Sequence, residues 1–375
     1  MATVCEVGDL PLWRGAQETP EVAAFAPFAF RVDDAGLVRL AEETRLSEVV
    51  QAYADDSYHF ITSPPGSSRW GNVLAKKSID GLLALHPGID GQDVLELGGG
   101  TTYSARYLVE NAGARHVTII DPAVHDDPSL SEIEVRREYF GPGMTLDRAF
   151  PLIMSFNTLE HVPDPESFLR GAREHLSDDG YLYLKMPECE ASLAQGDLGL
   201  CVHEHLSYFT TASLDALLAR AGFERVGDAN YLGALQVLAR KAPPAPEVAA
   251  SGSETLLDGF EKHARRHVDR LRTMLDQHQG GTIAVVGASA GLANILHLAE
   301  ATERGIAIYD GDELKSGRFL PGIDTPIRHS SDASLGEHDL VLVTPVNFFD
   351  EISESLLARS GFTGKVLPMF EMADG

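Results

Sequence analysis

Between Trp70 and Lys241 the apolar positions switch period repeatedly. In WGNVLAKKSIDGLLAL (70–85) they recur at helical spacing, whereas QDVLEL, ending at Leu97, is a short apolar run that predicts a buried strand and passes straight into three glycines. The alternation continues with a helix in TYSARYLVENA (102–112), strands in HVTIID (116–121) and FPLIMSF (150–156), and a helix in PESFLRGAREHL (165–176). A strand in GYLYLKMPE (180–188), a glycine-closed helix in LDALLARAGF (214–223) and a last strand pattern in YLGALQVLARK (231–241) complete the series. Upstream, AFAPFAF and GLVRL are strand-like, LSEVVQAYA is helical, and SPPGSS (63–68) is a turn-rich break. Downstream, the Pro/Ala/Ser-rich KAPPAPEVAASGSE (241–254) is a linker by composition. A charged amphipathic helix (256–278) leaves it, and TIAVVGASAGLANILHLAEA then begins a second strand–glycine loop–helix unit, with further strands in GIAIYDGD and DLVLVTPV.

Strands alternating with helices predict α/β domains of the doubly wound kind. The expected division is an N-terminal lobe over 1–65, a first Rossmann-like domain over 66–242, a linker and helix over 243–280, and a second Rossmann-like domain over 281–375. No repeat of solenoid period is visible.

Composition narrows the function classes. With 375 residues, 44% of them hydrophobic and 23% charged, the chain can bury more than one core. Fifty-six acidic against 30 basic residues, a formal net charge of −26, argue against a nucleic-acid partner, which needs clustered Lys and Arg. Cys5, Cys189 and Cys201 are too few and too far apart for a disulfide framework or a CxxC metal pair. The start MATVCEVGDLPLW lacks the basic-then-apolar form of a signal peptide, and no apolar run reaches the roughly 18 residues of a membrane span. A cytoplasmic protein without membrane contact is expected.

Two segments carry candidate chemistry. VLELGGGTTYS places Glu96, Gly98, Gly99 and Gly100 at a strand end, where glycines let backbone amides approach a ligand at a helix N-terminus. Asp121 ends the next strand, where its carboxylate can accept ribose hydroxyls. HEHLSYF (203–209) has three readings: metal site, acid–base cluster, or polar edge of a core. Histidines flanking Glu204 lack the i, i+4 spacing that puts two ligands on one helix face, and no third ligand is near in sequence, so no metal is expected. The position after a strand favours the acid–base reading for His203, Glu204 and His205, since imidazole titrates near neutrality and a carboxylate neighbour raises its basicity.

The E-x-G-x-G pattern resembles the first motif of class I S-adenosylmethionine-dependent methyltransferases rather than a dehydrogenase G-x-G-x-x-G. FPLIMSFNTLEHV resembles that family's fourth-strand motif, which implies Asn157 and Leu159 beside the methionine part of the cofactor. HEHLSYF with the helix after it is similar to the sugar C-methyltransferases of deoxysugar biosynthesis, which methylate carbon 3 of dTDP-4-keto sugars. His161, 44 residues before His205, falls on that family's other active-site histidine. YDGDELKSGRFLPGIDTPI (309–327) resembles its C-terminal D-x-x-x-x-K-x-G-x-x-x-PG-x-x-x-PI run, ASAGLANIL its asparagine-bearing glycine loop, and Asn347 a following strand-end asparagine. The likeness covers roughly residues 35 to 370.

What the resemblance implies is specific. His205 is the expected base for carbon 3, Glu204 tunes it, His161 donates to the enolate oxygen, and the enolate carbon takes the sulfonium methyl, with no metal in the scheme. Tyr58 matches part of a tyrosine-bearing substrate loop. Tyr208, Asn294, Lys315 and Asn347 are expected to bind the dTDP-linked keto-deoxysugar, Lys315 through phosphate. Two departures stand out: Val32 and Ala35 occupy positions where the family has zinc-binding cysteines, so a metal-free N-terminal lobe is expected. Val202 replaces a family tyrosine. The nearest branch of the family makes mycarose-type antibiotic sugars and couples methylation to NADPH-dependent 4-ketoreduction. Two other readings stay open: an NADPH-dependent dTDP-sugar 4-ketoreductase on an inherited methyltransferase scaffold, and a non-catalytic partner of another sugar enzyme.

Overall fold

The computed structural model describes residues 4–21, 23–41, 65, 69–124, 129–229, 233–345, 348–359 and 361–370. The expected helix over LSEVVQAYA, most of SPPGSS, Tyr58 and Asn347 lie outside the described residues.

In chain order the elements are β1 (Val4–Pro11), β2 (Phe25–Val32), β3 (Val38–Leu40), α1 (Arg69–Leu85), β4 (Asp93–Leu97), α2 (Tyr103–Ala112), β5 (His116–Ile120) and β6 (Ile133–Arg136). Then come β7 (Phe150–Phe156), α3 (Pro165–His175), β8 (Leu176–Pro187), α4 (Glu190–Gln195), β9 (Ser207–Tyr208), α5 (Thr211–Ala221), β10 (Phe223–Asp228) and β11 (Ala234–Lys241). The C-terminal part is α6 (Ser253–Gln277), β12 (Ile283–Val286), α7 (Ala290–Leu298), β13 (Ala307–Asp310), β14 (Ile327–His329), β15 (Leu340–Val343), α8 (Phe349–Leu357) and β16 (Lys365–Pro368). Local signals explain several boundaries. Asp164 caps α3 through its side chain and Pro165 opens it, while Gly222 in the left-handed region closes α5.

A seven-stranded sheet runs β10-β11-β8-β7-β4-β5-β6, parallel from β8 to β6, with β11 antiparallel to both β8 and β10. Strand order reverses between β4 and β7, and ligands of doubly wound sheets bind in the crevice outside the carboxyl ends there. Every residue of β4 is buried, its apolar side chains shared between the cores on the two faces of the sheet. A five-stranded parallel sheet, β14-β13-β12-β15-β16, forms the second α/β unit.

The third sheet positions the site. It runs β1-β2-β3-β9, so the two residues after H-E-H-L complete a sheet begun by the N-terminal lobe, with Arg39 opposite Ser207 and Val38 opposite Tyr208. Its inner face shares one apolar core with α6 and the second α/β unit, including Phe30, Tyr208, Phe260, Leu292 and Leu342. Tyr208 and Phe260 both pack edge-to-face on Phe30, at 4.8 and 4.9 Å between centroids, and such pairs add about 0.5–1.5 kcal/mol each beyond area burial. At the positions of the family's cysteines, Val32 pairs with Val38 inside the sheet and the Ala35 carbonyl accepts the Ala250 N–H at 2.9 Å. Neither side chain offers a metal-binding atom, so zinc does not fit there and the aromatic cluster holds the lobe.

Candidate active site

The glycine turn and the fourth-strand motif meet at the reversal of strand order. Gly98 and Gly100 adopt φ of +78° and +63°, and a Cβ on Gly98 would collide with Thr158 Oγ1. Ser155 Oγ donates to the Leu97 carbonyl at 2.8 Å, and Thr158 Oγ1 lies 3.2 Å from the Gly98 carbonyl, so β7 and the turn after β4 are tied together. Asp121 accepts the Gly100 N–H at 3.0 Å and the Ala123 N–H at 2.6 Å. A carboxylate ending the strand next to the glycine turn is of the type that accepts ribose hydroxyls. Glu96 is buried at the end of β4 below the turn. Asn157 is exposed at the crevice in the left-handed region, φ +49°, with Oδ1 accepting Lys185 Nζ at 2.6 Å. Leu159 differs from expectation, because its side chain belongs to the core beneath the turn rather than to the crevice. The glycine turn at the carboxyl end of β4, with Asp121 bonded to the Gly100 N–H, fits S-adenosylmethionine.

The two candidate histidines come together. His161 ends a 3-10 turn (Leu159–His161) and His205 lies in the loop before β9, with ring centroids 4.9 Å apart at 72°. The loop is pinned twice, by the Leu206 N–H on the Glu160 carbonyl at 2.7 Å and by Arg39, whose Nε donates to the Leu206 carbonyl at 2.9 Å. A second Arg39 nitrogen donates to the Pro163 carbonyl at 2.7 Å, so this arginine, 7% exposed, clasps both histidine-bearing loops.

Burial dominates the electrostatics. It pushes His161 down to about 4, opposed by its bond to the Glu204 carbonyl, and it holds His205 well below the ordinary value, reinforced by the second imidazole. Both rings are therefore neutral at pH 7. Burial raises the Glu160 carboxyl to about 7, against its own backbone N–H and the Lys185 charge, and the same burial lowers Lys185.

Several expectations need correction. His161 Nδ1 lies 2.9 Å from the Glu204 carbonyl and must carry the proton there, so the neutral ring offers Nε2 as an acceptor and cannot donate to an enolate. Glu204 acts on His161 through its main chain, and no carboxylate raises His205. His203 faces away, with Nε2 3.3 Å from the Ala26 carbonyl and its ring edge-on to Phe28. Tyr208 is core, its hydroxyl on the Val202 carbonyl at 3.4 Å. Asn294 spends its amide on the Leu198 and Cys201 carbonyls, both at 2.9 Å, clasping the second α/β unit to the loop before His203. Lys315 is bound to Asp310 at 3.0 Å and to the Ala288 carbonyl at 2.9 Å, inside the second unit's own glycine turn. Glu160, His161 and His205 bring one side-chain ligand atom each within 4.8 Å of the others, a grouping that includes neither His203 nor the Glu204 side chain.

Glu160, Arg39 and Lys185 were not singled out from sequence. Lys185 carried a signal, a lone charge in the apolar run YLYLKM. Arg39 carried none, since its partners are carbonyls more than a hundred residues away.

A parallel sheet with one reversed strand near its edge, a glycine turn at the reversal and an acid ending the neighbouring strand define a class I S-adenosylmethionine-dependent methyltransferase. Residues 71–226 match the family described as a methyltransferase domain and residues 246–368 the family described as a C-methyltransferase C-terminal domain. It is 27% identical over 330 residues to the C-methyltransferase NovU of Streptomyces niveus, covering 80% of this chain and 76% of that one. Similar solved structures include the 1,6-didemethyltoxoflavin-N1-methyltransferase of Burkholderia thailandensis, 21% identical over 62% of this chain and 99% of that one, with a TM-score of 0.42. The CcbJ methyltransferase of Streptomyces caelestis is 16% identical over 54% and 99%, with a TM-score of 0.38. Among the described residues no helix is long and apolar enough to cross a membrane.

Proposed function

We propose that the chain methylates carbon 3 of a dTDP-linked 4-keto-2,6-dideoxyhexose of the mycarose type. The observation that carries this reading is the neutral His161–His205 pair beside the glycine turn. When bound there, S-adenosylmethionine supplies an electrophilic methyl group on a positively charged sulfur. The chain's part is to generate a carbon nucleophile and exclude water.

His205 takes the carbon 3 proton, which the adjacent ketone acidifies. A buried neutral imidazole is a weaker base than an exposed one, but its lone pair is not tied up by solvent. His161 is a positioning group: its Nδ1–H is fixed on the Glu204 carbonyl, and its ring lies 4.9 Å from that of His205 between centroids. Charge on the enolate oxygen needs a donor other than His161. Lys185, held at the crevice by Asn157, has N–H groups left for that role, and a preorganised cationic donor of this kind is worth about 3 kcal/mol. Attack by the enolate carbon then completes transfer. The second α/β unit would hold the nucleotide diphosphate, with Lys315 stiffening its glycine turn rather than reaching phosphate.

Purified protein incubated with such a dTDP-4-keto sugar, S-adenosylmethionine and NADPH, with products followed by mass, tests the reading. A gain of one methyl group supports it, and an unchanged sugar mass contradicts it. A further gain of two hydrogens would add 4-ketoreduction.

A further inference from the structure

The side chain of Glu160 has no part in the scheme above, yet it is 2% exposed, and its Oε2 has no hydrogen-bond partner among the described residues. Leaving a carboxyl oxygen unmatched away from water is costly, and a site that tolerates it keeps an acceptor in hand. One carboxyl oxygen of Glu160 lies within 4.8 Å of a ring nitrogen of His205. A small side-chain rotation or one bridging water spans that gap. Glu160 and Lys185 also act on each other's charge, and Lys185 Nζ donates to Oδ1 of the exposed Asn157 at 2.6 Å, at the edge of the crevice.

The scheme leaves a proton to be disposed of. His205 takes it from carbon 3 while the C–H electron pair stays on the sugar as the enolate. That pair then forms the bond to the methyl carbon, and sulfur keeps the electrons of the bond it loses. The proton remains on a buried imidazole, which must shed it before the next cycle.

We propose that Glu160 discharges His205: it takes the proton that the imidazole has removed from carbon 3 and releases it to the crevice beside Lys185 and Asn157. The N–H bond of His205 breaks, an O–H bond forms on Glu160, and the proton passes to water as product leaves, so one H⁺ departs for each methyl added. The direction of transfer fits the electrostatics. Burial keeps the His205 imidazole well below its ordinary value and raises the Glu160 carboxyl to about 7, so His205 N–H is the stronger acid and the carboxylate the stronger base. Glu160 acts through His205 and touches no reacting carbon, which makes it a positioning residue for the proton and not the base itself. The inference rests on the proposed function.

Glu160→Gln, shown to be folded by thermal melt and by its S-adenosylmethionine affinity, is compared with wild type on the dTDP-4-keto sugar in two regimes. In a single turnover the proton need not leave, so the loss of rate there should be small beside the loss in steady state. With substrate in excess, a burst of one methyl per active site should precede a steady rate at least about tenfold below that of wild type. Glu160→Asp, which keeps a carboxylate, should recover most of the steady rate, and Glu160→Ala should recover part of it when formate is added. A merely structural role would depress both regimes together and would ignore formate. Equal losses in the two regimes, or an undiminished steady rate in the folded variant, overturns the relay. Should Glu160→Gln not fold, Glu160→Ala with and without formate decides, and no recovery by formate overturns it. A wild type that transfers no methyl removes the proposed function and the relay with it, whereas a wild type that turns over beside a Glu160→Gln without a burst removes the relay alone.

Discussion

His205 and His161 make the residue-scale account testable through pH. Burial holds both imidazoles below 6.5, His161 at about 4, so the neutral, proton-accepting form persists as pH falls through 6.5. The acid limb of kcat/KM should therefore lie below pH 6.5; a limb at or above that value would show that a different group, or an exposed imidazole, is the base. Stability has a matching sign. The unfolded chain binds protons on these two side chains near 6.5 and the folded one does not, so this stabilisation is complete above 6.5 and declines as pH falls toward 4. Melting temperature should drop across that interval, and less steeply in His161→Gln. Gly98→Ala is a second residue-scale test: the added methyl meets Thr158 and the φ of +78° is strained for alanine. S-adenosylmethionine affinity measured by calorimetry should fall at least about tenfold, since a displaced turn misplaces the cofactor amides, while an unchanged Kd would remove the turn from the cofactor site. The sequence made His161, His205, the glycines and Asp121 legible because they lie in ordered motifs. The atoms they use were not legible, since the His161 tautomer is set by a carbonyl 43 residues away.

At the scale of elements, the strand β9 decides how the histidine loop is held. Two residues were too short a run to predict as a strand, and their partner β3 belongs to another part of the chain. β1, β6 and β14 were likewise missed, each being short or mixed in polarity, whereas the buried strands of the central sheet were readable from continuous apolar runs. Arg39 couples β3 to both active-site loops. Arg39→Ala leaves the Leu206 and Pro163 carbonyls without their charged donor, which should cost about 2–3 kcal/mol of stability. Turnover should fall far more than cofactor affinity does, because the glycine turn is not among its partners. Equal losses in both would indicate general destabilisation instead of positioning.

For the whole molecule, the core that joins the N-terminal sheet, the loop over 189–208, α6 and the second α/β unit makes these parts interdependent. The Pro/Ala/Ser-rich stretch lies between β11 and α6, yet contacts run across it in space: β9 completes the N-terminal sheet, and Asn294 clasps the loop before His203. No local pattern encodes such long-range pairings. Asn294→Leu should lower the melting temperature and blunt turnover at a site its side chain does not reach, while two separate calorimetric transitions in the wild type would contradict a shared core. The central claim is that the His205 imidazole removes the proton next to the ketone. It is tested most directly by exchange of the carbon 3 hydrogen in D₂O, with S-adenosylhomocysteine in place of the methyl donor. Wild type should incorporate one deuterium at carbon 3 and His205→Ala should do so at least about a hundredfold more slowly. Exchange at the wild-type rate in the folded variant would contradict the account.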